Sequence, residues 1–208
     1  MDNTISVLIA DDHPLILDGL AALIESEPGF VLAGRATDGV QALAMYAHLR
    51  PDVMLIDLHM PGGGGMEAIS RIRALDTEAR IVVLSGYEGE EDVFRALDSG
   101  ASAYLLKRSG AEQVMQCIRR VVETGRFVPP ELASKLARRI ACDALSKREL
   151  EILTYISTGK SNKMVARAAG IGVGTVKYHV NNILSKLNVS CRTEAACVAM
   201  QRGLIHPY

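Results

Sequence analysis

Two hydrophobic patterns alternate five times along roughly the first 120 residues, and this alternation constrains the fold more than any other feature. Continuous apolar runs are typical of strands buried on both faces. The segments between them have helical spacing, as at Leu15, Leu20, Leu23 and Ile24. The apolar runs are Ile5–Ala10, Phe30–Ala33, Val53–Ile56, Ile81–Leu84 and Ala103–Leu106. Five strand–helix repeats predict a parallel sheet with helices on both faces.

The charge distribution divides the chain into two parts. The 208 residues have a formal net charge of -1, but residues 1–107 contain 7 Lys or Arg and 17 Asp or Glu, a net of -10. Residues 108–208 contain 16 and 7, a net of +9. Such asymmetry indicates a nucleic-acid-binding or membrane-surface segment joined to a different domain. We therefore predict two domains.

The linker between the domains is predicted from its helix breakers. The last helix of the first domain spans about Ala111 to Glu123 and ends at Gly125, which suits a left-handed C-cap. Pro129 and Pro130 then prevent a continuing helix, although part of the segment, 131–140, could form a short helix of its own. We expect a first domain over residues 1–124, a linker over 125–143 and a second domain over 144–208.

The second domain is predicted to be entirely helical. Ser146 and Glu149 form a capping box at the start of its first helix, which runs to about Thr158. Three more helices follow, at about 161–169, 175–187 and 193–202, and a tight Gly170–Gly172 turn separates the second from the third. Four short helices in this length make a small all-α domain.

Several classes of protein are excluded. Cys117, Cys142, Cys191 and Cys197 have no CxxC spacing, so we expect reduced thiols rather than a zinc or redox site. The N-terminal segment is acidic where a signal peptide is basic, and no apolar run reaches the roughly 20 residues of a membrane-spanning helix. We expect a cytoplasmic protein.

Polar residues follow the predicted strands at the edge of the sheet where ligands bind in such folds. Singly, each has an ordinary explanation; Asp12, for example, could cap the helix that begins near Pro14. Together, three carboxylates at one point require positive charge among them. The residues at the strand ends are Asp11, Asp12, Asp57, Ser85, Gly86 and Lys107.

This set of side chains is typical of an acyl-phosphate site. Magnesium (Mg²⁺) takes carboxylate, phosphate and water oxygens as ligands. Lys107 adds an ammonium and Ser85 a hydroxyl donor, so Asp57 would act as a nucleophile toward phosphorus while the cations neutralise the phosphoryl oxygens. Gly86 would keep the approach to Asp57 open. The sequence predicts phosphoryl transfer onto the protein itself.

The chain resembles two-component response regulators of the NarL/FixJ type, which join a receiver domain to a LuxR-type helix-turn-helix domain. The resemblance covers nearly the whole chain. Its motifs are Ala10-Asp11-Asp12-His13-Pro14, Ile56-Asp57-Leu58-His59-Met60-Pro61-Gly62, Leu84-Ser85-Gly86 and Tyr104-Leu105-Leu106-Lys107 in the first half, and Ser161-Asn162-Lys163, Thr175-Val176-Lys177-Tyr178-His179 and Lys186-Leu187-Asn188-Val189 in the second. It implies a flavodoxin-like, doubly wound (βα)5 domain followed by a four-helix domain.

The resemblance also assigns roles within the first domain. Asp57 would be the phosphoacceptor, and Asp11, Asp12, Asp57 and the backbone carbonyl of His59 would hold Mg²⁺. Ser85 and Tyr104 would form a switch pair with Lys107 as the fixed cation, whereas the residues alone allow Tyr104 to be a static packing residue. Two departures stand out. Gly62–Gly65 replaces the usual Asp-Gly and gives the loop high backbone freedom, and Ser85 stands where Thr is commoner.

The basic half is predicted to bind DNA. Residues 145–208 carry a net charge of +6. On the third helix of this half, Val176, Val180, Ile183, Leu184 and Leu187 form an apolar stripe, and the opposite face offers Lys and Asn side chains that can pair with base edges in the major groove. The candidate DNA-binding residues are Lys160, Ser161, Asn162, Lys163, Thr175, Lys177, Tyr178, Asn181, Asn182 and Lys186. Such a face can also be merely solvated, but the turn spacing and the resemblance favour DNA.

We expect a transcription regulator and not an enzyme, phosphorylated by a partner histidine kinase and dimeric when active. The resemblance implies dimer contacts on the last helix through Ala196, Ala199 and Met200, although this stripe could pack only within its own domain. A hydrolase with a transient Asp57 phosphoenzyme needs a second Asp two residues on, where this chain has His59. A second alternative is a receiver that serves only as a phosphorylation-independent dimerisation module.

Overall fold

A computed structural model describes residues 4–61, 64–130, 132–134, 136 and 144–205. The described chain divides into two compact units between Ala133 and Ser134, with the segment Glu88–Asp92 grouped with the second. Of the predicted short helix at 131–140, residues 131, 135 and 137–140 lie outside the described residues, as does Cys142. We describe each unit by itself.

The first unit contains a five-stranded parallel sheet with the order β2-β1-β3-β4-β5. The strands are β1 Ile5–Ala10, β2 Phe30–Ala36, β3 Val53–Ile56, β4 Ile81–Ser85 and β5 Ala103–Leu106. All four side chains of β3 and all five of β4 are buried, which is why these strands read as continuous apolar runs. The predicted doubly wound sheet is confirmed.

Four helices connect these strands, α1 Pro14–Ser26, α2 Gly39–Leu49, α3 Gly64–Leu75 and α4 Glu90–Asp98, and α5 Ala111–Thr124 follows β5. The N-cap of α1 is His13, with Pro14 in the first turn, so the prediction that Asp12 could cap this helix is wrong. Pro14 suits that position because the first helical residues need no hydrogen-bonded N–H. Asp12 is thereby left at the sheet edge. α5 ends at Gly125 in the left-handed conformation, as predicted.

The edge of β5 is covered by the chain that follows α5. The backbone N–H of Phe127 donates to the Ser102 carbonyl at 2.9 Å, and Phe127 pairs with Ala103 as an isolated parallel bridge. Pro129 and Pro130, which have no N–H to donate, limit this pairing to a single bridge.

The second unit contains four described helices: α6 Lys147–Ser157, α7 Asn162–Ala169, α8 Val173–Leu187 and α9 Arg192–Gln201. The capping box at α6 is present: the Ser146 N–H donates to the Glu149 carboxylate at 2.7 Å, and the Glu149 N–H donates to the Ser146 hydroxyl at 3.3 Å. α8 begins two residues before the predicted Thr175, because Gly172 serves as its N-cap. The buried faces of all four helices form one apolar core.

Candidate functional site

Two buried carboxylates lie side by side where β1 and β3 end. Asp11 follows β1 and is 1% exposed, and Asp57 follows β3 and is 3% exposed. The Asp57 N–H donates to the Ala10 carbonyl at 2.9 Å, so the strand pairing extends to Asp57 itself. Parallel pairing of β1 with β3 therefore brings together two acids that are 46 positions apart in sequence.

Lys107, which follows β5, reaches both carboxylates. Its Nζ lies 2.7 Å from Asp11 Oδ2 and 2.9 Å from Asp57 Oδ2. Burial alone would lower the pKa of Lys107, but the hydrogen bonds with Asp11 and Asp57 outweigh it and raise that pKa above its usual value. The ammonium is therefore charged at neutral pH and fixed on one side of the acids.

The remaining carboxylate, Asp12, completes a set of oxygen donors suited to a hard cation. The ligand atoms of Asp11, Asp12, His13 and Asp57 all lie within 4.8 Å of one another. Among the described residues, Asp11 Oδ2 and Asp12 Oδ1 are buried without a hydrogen bond of good geometry; Lys107 Nζ lies 2.7 Å from Asp11 Oδ2, and His13 Nδ1 lies 2.7 Å from Asp12 Oδ1. Three carboxylates facing one Lys leave unbalanced negative charge, which a divalent cation would neutralise.

Ser85 and Tyr104 are both hydrogen-bonded to the backbone of Tyr87, one of the residues that line the opening to Asp57. The Ser85 side chain is fully buried, and its hydroxyl accepts a hydrogen bond from the Tyr87 N–H at 3.2 Å. The Tyr104 ring is also fully buried, and its hydroxyl donates to the Tyr87 carbonyl at 2.7 Å. Tyr87 is thus the backbone link between the two residues of the predicted switch pair, a role that the sequence did not reveal.

The entrance to the site is a cleft of about 440 Å³. It is lined by His13, Ile16, Asp57, His59, Gly86, Tyr87 and Lys107. The rings of His59 and Tyr87 pack against each other with centroids 4.5 Å apart on one side of the opening. A Cβ at Gly86 would meet nothing within 4 Å, so the space beside this residue is open and would also accept a side chain.

Steric contacts explain why glycine is needed in the glycine-rich loop, which the composition alone does not show. A Cβ at Gly65 would lie 1.9 Å from the backbone oxygen of Asp57, and the Gly65 N–H donates to the Leu58 carbonyl at 3.0 Å. The first turn of α3 therefore packs directly on the backbone of Asp57. Gly64 has a positive φ of 66°, which a residue with a side chain rarely adopts. Gly62 and Gly63 lie outside the described residues.

The predicted apolar stripe of α8 is confirmed. Val176, Ile183 and Leu187 are buried in the helical core, and Val180 and Leu184 pack against it. The opposite face is open: Lys177, Tyr178 and Asn181 are exposed, and Tyr178 retains 63% of its accessible surface. Asn182 is half-buried at the margin, and Thr175 is exposed near the helix start. The residues proposed for base contact therefore share one accessible helix face.

The start of α7 carries the other predicted DNA contacts. Its N-cap is Ser161, whose hydroxyl accepts from the Met164 N–H at 3.4 Å. Met164 cannot return a side-chain bond to the Ser161 N–H as Glu149 does for Ser146, so the capping box of α7 is incomplete. Lys163 is exposed, and Lys160 Nζ lies 3.1 Å from Thr158 Oγ1. The first-turn N–H groups and these ammonium groups make the start of α7 electropositive.

Lys186 has a structural partner that the sequence did not suggest. Its Nζ lies 2.8 Å from Glu149 Oε2. Burial alone would raise the pKa of Glu149, but the hydrogen bonds with Lys186 and Ser146 lower that pKa below its usual value. Lys186 thus joins the C-terminal end of α8 to the start of α6, which leaves its ammonium less available to DNA than that of Lys177.

One of the three predicted dimer contacts needs correction. Ala199 is fully buried in the helical core, because it lies on the face of α9 that packs against the other helices of the unit. Its side chain is therefore unavailable to a second subunit, which supports the alternative that this position packs within its own domain. Ala196 is half-buried, and Met200 is 41% exposed.

The sequence did not indicate two residues of the second unit, one exposed and one that bridges two helices. Val173, the first residue of α8, is partly exposed beside the proposed base-reading face. Arg192, the first residue of α9, donates from its guanidinium to the Lys160 carbonyl at 2.6 Å. A hydrophobic residue after a glycine and an arginine at a helix start carry no distinctive sequence signal, so the structure was needed to find them.

A sheet domain with a buried acidic site, joined to a helical domain with an open basic helix, defines a class of two-domain switch proteins. Residues 7–119 match the family described as the response regulator receiver domain. Residues 143–199 match the family described as bacterial regulatory proteins of the luxR family.

Similar proteins are known over nearly the whole chain. The chain is 37% identical over 210 residues to the transcriptional regulatory protein LiaR of Bacillus subtilis (strain 168), covering 97% of this chain and 100% of LiaR. It is 35% identical over 207 residues to the response regulator protein VraR of Staphylococcus aureus (strain NCTC 8325 / PS 47), covering 97% of this chain and 99% of VraR.

Solved structures show the same architecture. The response regulator ChrA of a heme-sensing two-component system is 33% identical, with a TM-score of 0.57, covering 98% of this chain and 100% of that chain. RcsB in complex with DNA is 22% identical with a TM-score of 0.71, covering 96% of this chain and 99% of that chain, and this likeness concerns the fold alone.

This chain therefore belongs to the two-component response regulators that join a receiver domain to a LuxR-type DNA-binding domain. LiaR, which it matches along its full length, is a transcriptional regulatory protein, and VraR is a response regulator. Within the described residues, no helix is both long and apolar enough to cross a membrane.

Proposed function

We propose that this protein regulates transcription through Mg²⁺-dependent phosphorylation of Asp57 by a partner histidine kinase. The observation that carries this proposal is the buried cluster in which Lys107 contacts both Asp11 and Asp57 at the open edge of the sheet. A carboxylate held among buried charges, with a cleft leading to it, is suited to phosphoryl transfer rather than to stabilising the fold.

The reaction forms an acyl phosphate on the protein. A carboxylate oxygen of Asp57 attacks the phosphorus of a phosphohistidine, the P–N bond breaks, and its electron pair leaves with the imidazole, which is then protonated. Lys107 offers its ammonium to the transferring phosphoryl oxygens from the side opposite Asp12. Ser85 offers a hydroxyl donor once its present hydrogen bond with the Tyr87 N–H is released.

The carboxylates of Asp11, Asp12 and Asp57 and the backbone carbonyl of His59 are the groups that would hold Mg²⁺. The bound cation supplies positive charge that screens the acids from the incoming phosphate. The donor set fits this ion because it consists of oxygen atoms, two of them buried and poorly hydrogen-bonded among the described residues.

Phosphorylation would then act through Ser85 and Tyr104. Both side chains are hydrogen-bonded to the backbone of Tyr87, and so a movement of the Ser85 hydroxyl toward phosphate frees the Tyr87 N–H next to the carbonyl that holds Tyr104. The structure of the segment between β4 and α4 would change as a result. This change would be transmitted from a receiver domain at 1–124, through a linker at 125–143, to a DNA-binding domain at 144–208.

DNA binding is assigned to α7 and α8. Lys177, Tyr178, Asn181 and Asn182 would enter the major groove, with Thr175 near the entry point. Lys160, Ser161, Asn162 and Lys163 would contact phosphates through ammonium, hydroxyl and N–H groups. Lys186 would contribute mainly by holding α8 against α6. Dimerisation would use the exposed part of α9, at Met200 and the margin at Ala196.

Intact-mass measurement after incubation with acetyl phosphate and Mg²⁺ tests the proposal. We expect a gain of one phosphoryl group that requires Mg²⁺ and is absent in Asp57→Asn. Asp52→Asn is a matched control, because Asp52 is an exposed acid that precedes β3, at the opposite end of this strand from Asp57, and accepts hydrogen bonds from Ser6. No adduct, or an adduct that persists in Asp57→Asn, would favour a receiver that acts only in dimerisation.

A further inference from the structure

Arg192 connects the last helix to the segment that is proposed to bind DNA phosphates. Its side chain leaves the first turn of α9, and one guanidinium nitrogen donates to the Lys160 carbonyl at 2.6 Å. The other terminal nitrogen lies 3.4 Å from Asn162 Oδ1. Lys160 and Asn162 flank Ser161, the N-cap of α7, so one planar group holds the chain on both sides of this cap.

The position of this arginine is not explained by helix stability. Cations are disfavoured near a helix N-terminus because the backbone dipole is positive there. Arg192 occupies the first turn of α9 and also contacts the first residue of α7, so two N-termini face the same charge. The arrangement becomes favourable when an anion binds beside them, as a phosphate of DNA would.

Two backbone hydrogen bonds tie this loop to α6. The Lys160 N–H donates to the Tyr155 carbonyl at 3.3 Å, and the Gly159 N–H donates to the Ile156 carbonyl at 3.0 Å. Lys160 Nζ lies 5.2 Å from the centre of the Tyr155 ring. The bonds from Arg192 add a second support, from α9, which has Ala195 and Ala199 fixed in the core. The loop is therefore held between two helices.

We propose that Arg192 is a positioning residue for DNA binding: its guanidinium holds the Lys160–Asn162 segment so that the Lys160 ammonium and the first N–H groups of α7 meet a phosphate together. This inference rests on the proposed function, because it assumes that the start of α7 contacts DNA. It assigns a role to a residue that lies on α9, outside the helix-turn-helix itself.

The planar geometry of the guanidinium makes the role specific to arginine. Its two terminal nitrogens serve two acceptors at once, the Lys160 carbonyl and the Asn162 side chain. A lysine at this position would keep the charge but lose the fork that spans the cap. A lysine variant that keeps the charge but loses DNA binding would therefore distinguish a positioning role of Arg192 from simple electrostatic attraction to DNA.

The test is a double-mutant cycle measured by fluorescence anisotropy on a mixed-sequence DNA duplex over a range of salt concentrations. Lys160→Ala should weaken binding and reduce the slope of log K against log salt by about 1, since one phosphate contact is lost. We expect Arg192→Ala to reduce the slope by a similar amount although it removes no phosphate contact of its own. The double variant should then show no further reduction, so that the two substitutions are strongly non-additive.

Conservative and control variants complete the experiment. Arg192→Lys should behave like Arg192→Ala, and Arg167→Ala, an exposed cation on α7, should be additive with Lys160→Ala. All variants are compared below the midpoint of their thermal unfolding, so that loss of fold does not enter the measured affinity.

Three results would overturn the inference. These are unchanged binding by Arg192→Ala, full rescue by Arg192→Lys, or a slope in the double variant that falls by about 2, which would show direct phosphate contact. If instead the wild-type protein does not bind the duplex, or Lys160→Ala and Lys177→Ala both bind as the wild type does, the proposed function of this surface fails, and not the role of Arg192 alone.

Discussion

Replacing Lys107 by Met should destabilise the first unit strongly when no divalent cation is present. The Lys107 ammonium contacts Asp11 at 2.7 Å and Asp57 at 2.9 Å, and both acids are almost fully buried. Hydrogen bonds to charged groups contribute about 1.5–3 kcal/mol each. Removing one partner from a buried ion pair costs about 3–5 kcal/mol, because the remaining charges are left unpaired. We therefore expect a loss of about 3–5 kcal/mol.

Calorimetry with and without Mg²⁺ measures this effect. A loss of that size lowers the Tm of the affected transition by about 6–20 °C. Mg²⁺ brings positive charge to the same oxygens, so we expect saturating Mg²⁺ to raise the Tm of Lys107→Met more than that of the wild-type protein. Arg71→Met is the matched control, since Arg71 is an exposed cation paired with Glu67 at 3.6 Å, and such pairs contribute about 1 kcal/mol or less.

The pH dependence has a definite sign. The pKa of Lys107 is raised in the folded protein, so its contribution to stability is complete below the usual lysine value of 10.5 and is lost as pH rises through the folded value. The difference between wild type and Lys107→Met should therefore persist through neutral pH. Equal Tm values for the two proteins, or an equal response to Mg²⁺, would refute the electrostatic reasoning.

Three further predictions concern other buried groups. Glu149→Gln should lower the free energy of unfolding of the second unit by about 1–3 kcal/mol at pH 7, because the ion pair with Lys186 is lost. In calorimetry at acid pH the difference between the variant and the wild type should vanish as pH falls through the lowered pKa of Glu149. Tyr104→Phe should cost about 1 kcal/mol in urea unfolding, because the hydrogen bond from the buried Tyr104 hydroxyl to the Tyr87 carbonyl is lost; no change in the free energy of unfolding would mean that the carbonyl finds another donor. Cys117 should resist maleimide in the native protein while Cys197 reacts, since burial raises the pKa of the Cys117 thiol to about 12; peptide mapping that finds equal labelling would contradict this.

The sheet and the acidic site were predictable because their signals are local in sequence. Buried parallel strands are continuous apolar runs, and the polar residue after each run marks the ligand-binding edge. Asp57 and Lys107 could therefore be placed at one point without knowing any distance. The helix-turn-helix was equally predictable from the sequence, because the apolar stripe of α8 leaves one polar face for DNA.

Other features depend on contacts that no local pattern encodes. The glycine at position 65 was interpreted as a source of backbone freedom, whereas the structure places it against the Asp57 carbonyl, where a side chain does not fit. Ala199 was assigned to a dimer interface by the family resemblance, and the sequence could not correct this because a small apolar residue fits both a core and a dimer surface. Lys186 was assigned to DNA because the sequence does not show its buried partner, Glu149.

The central claim is that phosphorylation of Asp57 controls DNA binding, and one affinity measurement tests it most directly. Genomic fragments selected by the phosphorylated protein are titrated with wild-type protein before and after treatment with acetyl phosphate and Mg²⁺, and with Asp57→Asn treated identically. We predict that phosphorylation increases the wild-type affinity by about tenfold, within the usual range of coupling between two sites, and leaves Asp57→Asn unchanged. Equal affinity of the two wild-type forms, or an equal increase in Asp57→Asn, would contradict the account.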